Sequence, residues 1–298
     1  MRSETIGGRT GTGETARLKA YSSFEPYELA DYRTALARVL PGVALEIERM
    51  PTATLTERLL AEADAPGADL VIGWADTAAQ TGGLERIAPD GWVRPTGFST
   101  ALVADPDVLA ACGAHPVATW RDLAQDPLRG RVLFPDPSIS GAGFLAMSTV
   151  LQFFGDTEGW ALPEAICANV RAFPGSAWTP AAQTGGGEIA VGVTVRIAAQ
   201  KRRTELPRLA VIEPRDVTGA EAEVYGVLKS TRLPDAARLV IDWILSDEAR
   251  ALFVGYGKTI LSAPAETLFM IDSARAVADR AANVARFGAL MRRPREFA

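Results

Sequence analysis

The sequence is poor in the side chains on which most catalysis and metal binding rely. It has one histidine, His115, and two cysteines, Cys112 and Cys167, too few for a Cys/His zinc site. No Gly-x-Ser-x-Gly elbow occurs. His115 lies in Gly113-Ala114-His115-Pro116 with no serine and carboxylate placed around it, so it reads as a loop or helix-end residue and the chain as no enzyme. A basic surplus is missing too. The net charge is −5, which leaves nothing to neutralise the phosphates of a nucleic acid. No apolar run approaches the roughly 20 residues that span a bilayer, and the first residues lack the basic-then-apolar order of a signal peptide. The pattern holds no repeat, heptad or low-complexity linker. The two cysteines keep two readings, a disulfide in an oxidising compartment or a pair of buried thiols.

What is present suffices for a large core: 298 residues, 48% of them hydrophobic, a length that favours two lobes over one. Residues 1–16 read as a polar, Gly/Thr-rich leader. Its Gly8-to-Gly13 stretch has the glycine spacing of a phosphate-binding loop, but Glu14 stands where that loop needs lysine, and no strand precedes it. From Leu18 the pattern turns regular. Leu18 to Ser23 reads as a strand and Pro26 to Leu40 as a helix with Leu29, Tyr32, Leu36 and Val39 on one face. Val43, Leu45 and Ile47 alternate as a second strand, Leu55 to Ala63 is a helix, and Asp69 to Trp74 is a third strand. This βαβαβ order implies a parallel sheet covered by helices, in which ligands gather at the carboxyl ends of the strands. Those ends are Tyr21-Ser22-Ser23-Phe24-Glu25 and Gly73-Trp74-Ala75-Asp76-Thr77. Tyr21, Ser22, Ser23, Glu25, Trp74 and Asp76 are therefore candidate contacts. For the two acids the plainer reading is a solvated helix start, and for Trp74 it is core packing.

A second α/β unit follows the apolar strand Phe98 to Ala104. Thr119 to Leu123 opens a helix, and Arg131 to Phe134 is a strand stopped by Pro135 and Pro137. Phe144, Met147, Leu151 and Phe154 recur at helical spacing, with Gly155 as the stop. Between them Ser138, Ser140, Gly141 and Ala142 form a small-residue turn at the positive end of a helix. Such a turn is an anion site or an ordinary N-cap by Ser140. Gly187 to Thr194, Leu209 to Ile212 and Glu223 to Lys229 read as further strands, the last carrying Tyr225. Asp235 to Leu245, Asp247 to Val254 (capped by Ser246) and a tail from Ser273 to Leu290 read as helices.

Five stretches, in order, resemble the extracellular solute-binding proteins of ABC transporters. They are Thr119-Trp120-Arg121-Asp122-Leu123, Arg129-Gly130-Arg131-Val132, Pro135-Asp136-Pro137 with Ser140-Gly141, Gly186 to Val193, and Ile241 to Ala249. The branch resembled includes the ferric-ion, thiamine, hexose-phosphate and 2-aminoethylphosphonate binders. The resemblance runs from Leu18 to Pro264. It implies an α/β, two-lobed type 2 periplasmic-binding-protein fold, with hinge strands between lobes and the ligand cleft at their interface. On that basis residues 17–103 and 213–298 make the first lobe and 104–212 the second. The expected partners are a small-molecule solute and an ABC permease, with no cofactor, a monomeric state, and a periplasmic or extracellular location.

Ferric-ion binders carry adjacent tyrosines after the Gly-Glu-Ile strand. Here Val193-Thr194-Val195-Arg196 stands there, and an arginine favours a phosphonate, phosphate or carboxylate. The plainer reading of Arg196 is a surface residue beside Lys201, Arg202 and Arg203. The combined expectation puts an anion on Ser138, Ser140, Gly141 and Ala142, faced by Thr194 and Arg196. Glu25 or Asp76 would hold an ammonium group, and Tyr21, Trp74 or Trp178 would pack on the carbon body, with Ser176 and Tyr225 as further contacts. The leading ligand is 2-aminoethylphosphonate or a related organophosphorus compound. The alternatives are ferric ion, thiamine or a polyamine on the same fold, or a ligand-sensing domain of a signalling system.

Overall fold

A computed structural model describes residues 15–83, 87, 92–262 and 267–295. Most of the leader, with its Gly8-to-Gly13 loop, lies outside them. The first unit runs β1 (Ala16–Ser22), α1 (Pro26–Val39), β2 (Val43–Arg49), α2 (Thr52–Ala61), β3 (Leu70–Ala75) and α3 (Asp76–Thr81). β1 pairs in parallel with β2 on one side and β3 on the other, as the βαβαβ order requires. Every residue of β3 is buried, which explains its unbroken apolar run. Within it Gly73 takes φ +68°, and a Cβ there would meet the Phe24 ring at 1.9 Å. Only glycine fits that close approach.

β4 (Val93–Ala104) is longer than its apolar half suggests. Its first part pairs antiparallel with β9 (Thr218–Val227), from Val93↔Tyr225 to Ser99↔Ala220. Its second part, from Thr100↔Val195 to Ala104↔Val191, pairs with β7 (Val191–Val195). β4 thus leads the chain from one unit into the other, and β9 leads it back to β3. The second unit holds α4 (Pro106–Cys112), two 3-10 turns, β5 (Val132–Leu133), α5 (Gly141–Asn169), β6 (Val170–Ala172), α6 (Trp178–Gln183), β7, α7 (Arg196–Glu205) and β8 (Ala210–Ile212). The Thr119-to-Leu123 motif starts a 3-10 turn: Asp122 accepts bonds from the amides of Ala118 and Thr119, both at 2.8 Å. Gly155, non-helical at φ +70° and ψ −164°, ends the first helical run of α5, and a second run carries on to Asn169.

After β9 come α8 (Pro234–Ile244), α9 (Asp247–Tyr256), β10 (Thr259–Ile260), β11 (Leu268–Met270), α10 (Ser273–Ala278) and α11 (Arg280–Met291). The tail departs from the expected lobe boundary. Ile271, Ala276, Phe287 and Leu290 belong to the core built on α5, β5 and β7, where Phe287 packs 5.3 Å from Phe134. Segment 213–298 is therefore shared between the units. The apolar face of the last helix finds its partner on the second unit. Cys112 and Cys167 are free thiols, so the disulfide reading does not hold. Burial pushes the Cys167 thiol up to about 12.

Two buried charge clusters bind β9 to the first unit. Lys258 Nζ sits 2.7 Å from Glu223 Oε1 and 3.1 Å from Glu28 Oε2, and 3.8 Å from the centre of the Phe24 ring. Burial by itself would lower the Lys258 pKa, but Glu223 and Glu28 outweigh it and raise it. Glu221 is 1% exposed. Its Oε1 accepts from the Thr77 amide at 2.7 Å and the Thr77 hydroxyl at 2.6 Å, while Oε2 is buried without a partner among the described residues. Burial pushes this carboxyl up to about 7 against the bonds from Thr77 and the charge of Arg280, with Asp76 adding to the rise.

Replacing Lys258 by Met leaves two facing carboxylates without their cation, and should cost roughly 3–5 kcal/mol in urea unfolding. Adding Glu28→Gln and Glu223→Gln to it should recover much of that loss. Glu221 keeps its proton up to about 7 in the folded protein, against 4.5 for the free group. Its contribution is thus full below 4.5 and is lost as pH rises to 7, on the order of 3 kcal/mol across the window. Glu221→Gln should flatten that part of the stability curve. Equal slopes for the two proteins would refute the assignment.

Candidate functional site

The principal cleft lies where the two units face each other and encloses about 80 Å³. The first unit contributes Ser23, Glu25, Tyr27, Glu28, Arg49, Thr52, Gly73 and Glu223. The second contributes Ser140, Gly141, Ala142, Ser176, Val195 and Ile197, and Phe98 of β4 closes the floor. Four helices of ten or more residues begin here: α1, α2, α5 and α7. The first amides of a helix have no intrahelical acceptor, and its N-terminus carries about half a positive charge.

Two of these starts are closed by side chains. Glu25 and Glu28 form a capping box on α1, and Ser140 Oγ accepts a long bond, 3.4 Å, from the Gly143 amide. The other two are not. The N-caps of α2 and α7 are Pro51 and Val195, which have no side-chain acceptor. The Ala53 amide of α2 instead meets the Ile139 carbonyl of the opposite unit at 3.3 Å. Arg49, at the carboxyl end of β2, is the guanidinium of the cleft. It donates to the Phe24 carbonyl at 3.1 Å and to Glu25 Oε2 at 3.0 Å, which uses only part of its five-donor fork. Burial raises the Glu25 pKa, and Arg49 opposes the rise.

Of the residues singled out from the sequence, Ser23, Glu25, Ser140, Gly141, Ala142 and Ser176 meet at the cleft. Ser23 Oγ donates to the Gly73 carbonyl at 2.6 Å, and Ser176 Oγ accepts from the Thr179 amide at 3.2 Å. Trp178 packs on Tyr27 across the two units, ring centres 5.4 Å apart.

The others lie elsewhere, each for a visible reason. Tyr21 is fully buried, its hydroxyl donating to Glu62 at 3.0 Å. Ser22 is buried and accepts from the Phe24 amide. Trp74 is buried and donates to Thr56 Oγ1 at 3.2 Å, so its core-packing reading holds. Asp76 pairs with Arg94 at 2.7 Å. Ser138 is turned back on Asp136, to which its hydroxyl donates at 2.6 Å. Thr194 donates to the Ala177 carbonyl at 2.6 Å. Tyr225 is buried against Thr96 and Glu223. Arg196 pairs with Glu213 at 3.2 Å, outside the cleft lining, as its surface reading expects. Sequence reasoning missed Arg49, Thr52 and Tyr27. A basic residue at the carboxyl end of a strand, just before Pro51, was the available signal for Arg49.

Among the described residues no group of three or more His, Cys, Asp or Glu is arranged to hold a metal, and no helix is long and apolar enough to cross a membrane.

The sequence profile of the bacterial extracellular solute-binding proteins matches residues 30–258. An uncharacterised protein of Haemophilus influenzae is 32% identical over 146 residues, 48% of this chain and 42% of its own length. The phosphoglycerate transport regulatory protein PgtC of Salmonella typhimurium is 28% identical over 160 residues, 54% of this chain and 39% of its own. The chain thus spans about two fifths of the length of the curated relatives it matches. The periplasmic binding protein AfuA of Actinobacillus pleuropneumoniae, solved with fructose-6-phosphate, superposes with a TM-score of 0.81 at 18% identity, over 94% of this chain and 99% of that one. The match to the family profile covers most of the sequence, and the two-unit architecture agrees with it: this chain belongs to the bacterial extracellular solute-binding proteins.

Proposed function

We propose that this protein captures a small organophosphorus anion, with 2-aminoethylphosphonate as the leading candidate, for delivery to an ABC permease. Its family supplies the coarser statement, a solute-binding component of an importer. One observation carries the finer one. Two helix starts facing the cleft, at Pro51 and Val195, are left without side-chain caps, which suits the oxygens of an anion, with the Ala53 amide of α2 already taken by the Ile139 carbonyl. Arg49 adds charge-assisted donors beside them, and the Ser140-Gly141-Ala142 turn faces them from the second unit.

Size supports the same reading. The cleft holds on the order of six waters, room for the phosphonate head and short carbon body of a small solute. Glu25 is the carboxylate in reach of an ammonium group on such a solute. Ferric ion is the poorer fit, because the end of β7 and the residue that follows offer Thr194, Val195 and Arg196 in place of paired tyrosines. PgtC and AfuA, by their names, deal with phosphate esters, which agrees with the oxygen-rich head group.

Calorimetry against 2-aminoethylphosphonate, phosphate, hexose phosphates, thiamine, polyamines and ferric ion tests the reading directly. Binding of the phosphonate or phosphate is expected, and a response to cations alone would defeat it. Arg49→Ala should weaken the anion by roughly 2 kcal/mol or more, whereas Arg196→Ala should leave affinity within about twofold. The reverse ranking would move the anion away from the α2 start.

A further inference from the structure

We propose that Tyr27 donates a hydrogen bond from its phenol to an oxygen of the captured solute, and so selects for oxygen-bearing head groups. This rests on the anion reading above and adds a determinant to the same cleft. Tyr27 stands in the first turn of α1 and lines the cleft. The chain has five tyrosines, and four of them spend their hydroxyls within the fold. Tyr21 bonds Glu62, Tyr32 bonds Glu28, Tyr225 meets Thr96 and Glu223, and Tyr256 bonds Asp31. Tyr27 is the exception: its hydroxyl oxygen is buried and has no partner among the described residues. A buried unpaired hydroxyl costs stability, and of the buried unpartnered side-chain atoms among the described residues this one belongs to a residue that lines the cleft.

Its ring is not free to swing out to water. Trp178 of the second unit packs on it at 5.4 Å and 54°, and Tyr256 at 6.4 Å. The Tyr256 hydroxyl also donates to the Tyr27 carbonyl at 3.2 Å, which pins the backbone. Burial, with Glu28 and Glu25 nearby, raises the phenol far above its ordinary value. It therefore stays protonated, offering a hydrogen to an oxygen acceptor and no phenolate to a metal ion.

The test is Tyr27→Phe, which keeps the ring and its contact with Trp178. Two readouts are needed, the melting temperature without solute and the dissociation constants for 2-aminoethylphosphonate and inorganic phosphate. Removing an unpaired buried hydroxyl should leave the empty protein as stable as before or more so. Affinity for the solute that binds the wild type should fall roughly tenfold. An affinity within twofold of wild type overturns the role of Tyr27 alone. A melting temperature several degrees lower overturns it as well, since the hydroxyl would then serve the fold. Wild-type protein that binds neither anion would refute the organophosphorus reading and the donor role with it.

Discussion

Both units of this protein depend on one antiparallel ladder, β4 against β9. Each strand changes partners part-way along. Up to Ser99 the backbone of β4 bonds to β9, and from Thr100 it bonds to β7. Sequence-distant cores are therefore hung on a shared rail, with β3 joined to β9 on one side of it and β7 to β4 on the other. Strand ends, helix starts and Phe98 of β4 meet at the cleft. A ladder can twist without losing its bonds, which is why strand pairs of this kind serve as hinges.

Polar groups near the rail are treated in two opposite ways. On the first unit Lys258, Glu28, Glu223, Thr96 and Tyr225 satisfy one another in a sealed network. Buried charges are tolerated only with such pairing, and the network fixes the wall of the cleft in place. A few ångströms further out the rule is relaxed. The α2 and α7 starts, which lack side-chain caps, and Arg49 line the shared space, and the Tyr27 hydroxyl is buried without a partner among the described residues. These groups give hydrogens, while Glu25, Glu28 and Glu223 on the same lining accept them.

Much of the architecture was legible in the sequence, because apolar period and turn residues act locally. The β1–α1–β2–α2–β3 order, the Ser140 and Ser246 caps and the Gly155 interruption follow from neighbours along the chain. Of the candidate contacts read from loops at strand ends, Ser23, Glu25 and Ser140 to Ala142 lie on the cleft lining. Side-chain direction was not legible. Tyr21 and Trp74 lie on the strands leading to those loops but point into the core, and a period-2 pattern on a strand buried on both faces does not say which way a residue turns. Arg196 and Asp76 were misplaced because their partners Glu213 and Arg94 are distant in sequence. The tail's second-unit docking was hidden for the same reason: an amphipathic helix shows that it needs a surface, not which one.

The bare caps at Pro51 and Val195 bear on how the molecule can be improved or harmed. Helix starts are among the easiest places to add stability, since a serine, threonine or aspartate at the N-cap commonly contributes about 1 kcal/mol. Here such a change would put a side-chain acceptor where the proposed anion would sit. The empty protein would gain robustness as its appetite for cargo declined. A stability-guided redesign that treated every helix alike would therefore tend to fill the proposed anion site while improving the protein's shelf life.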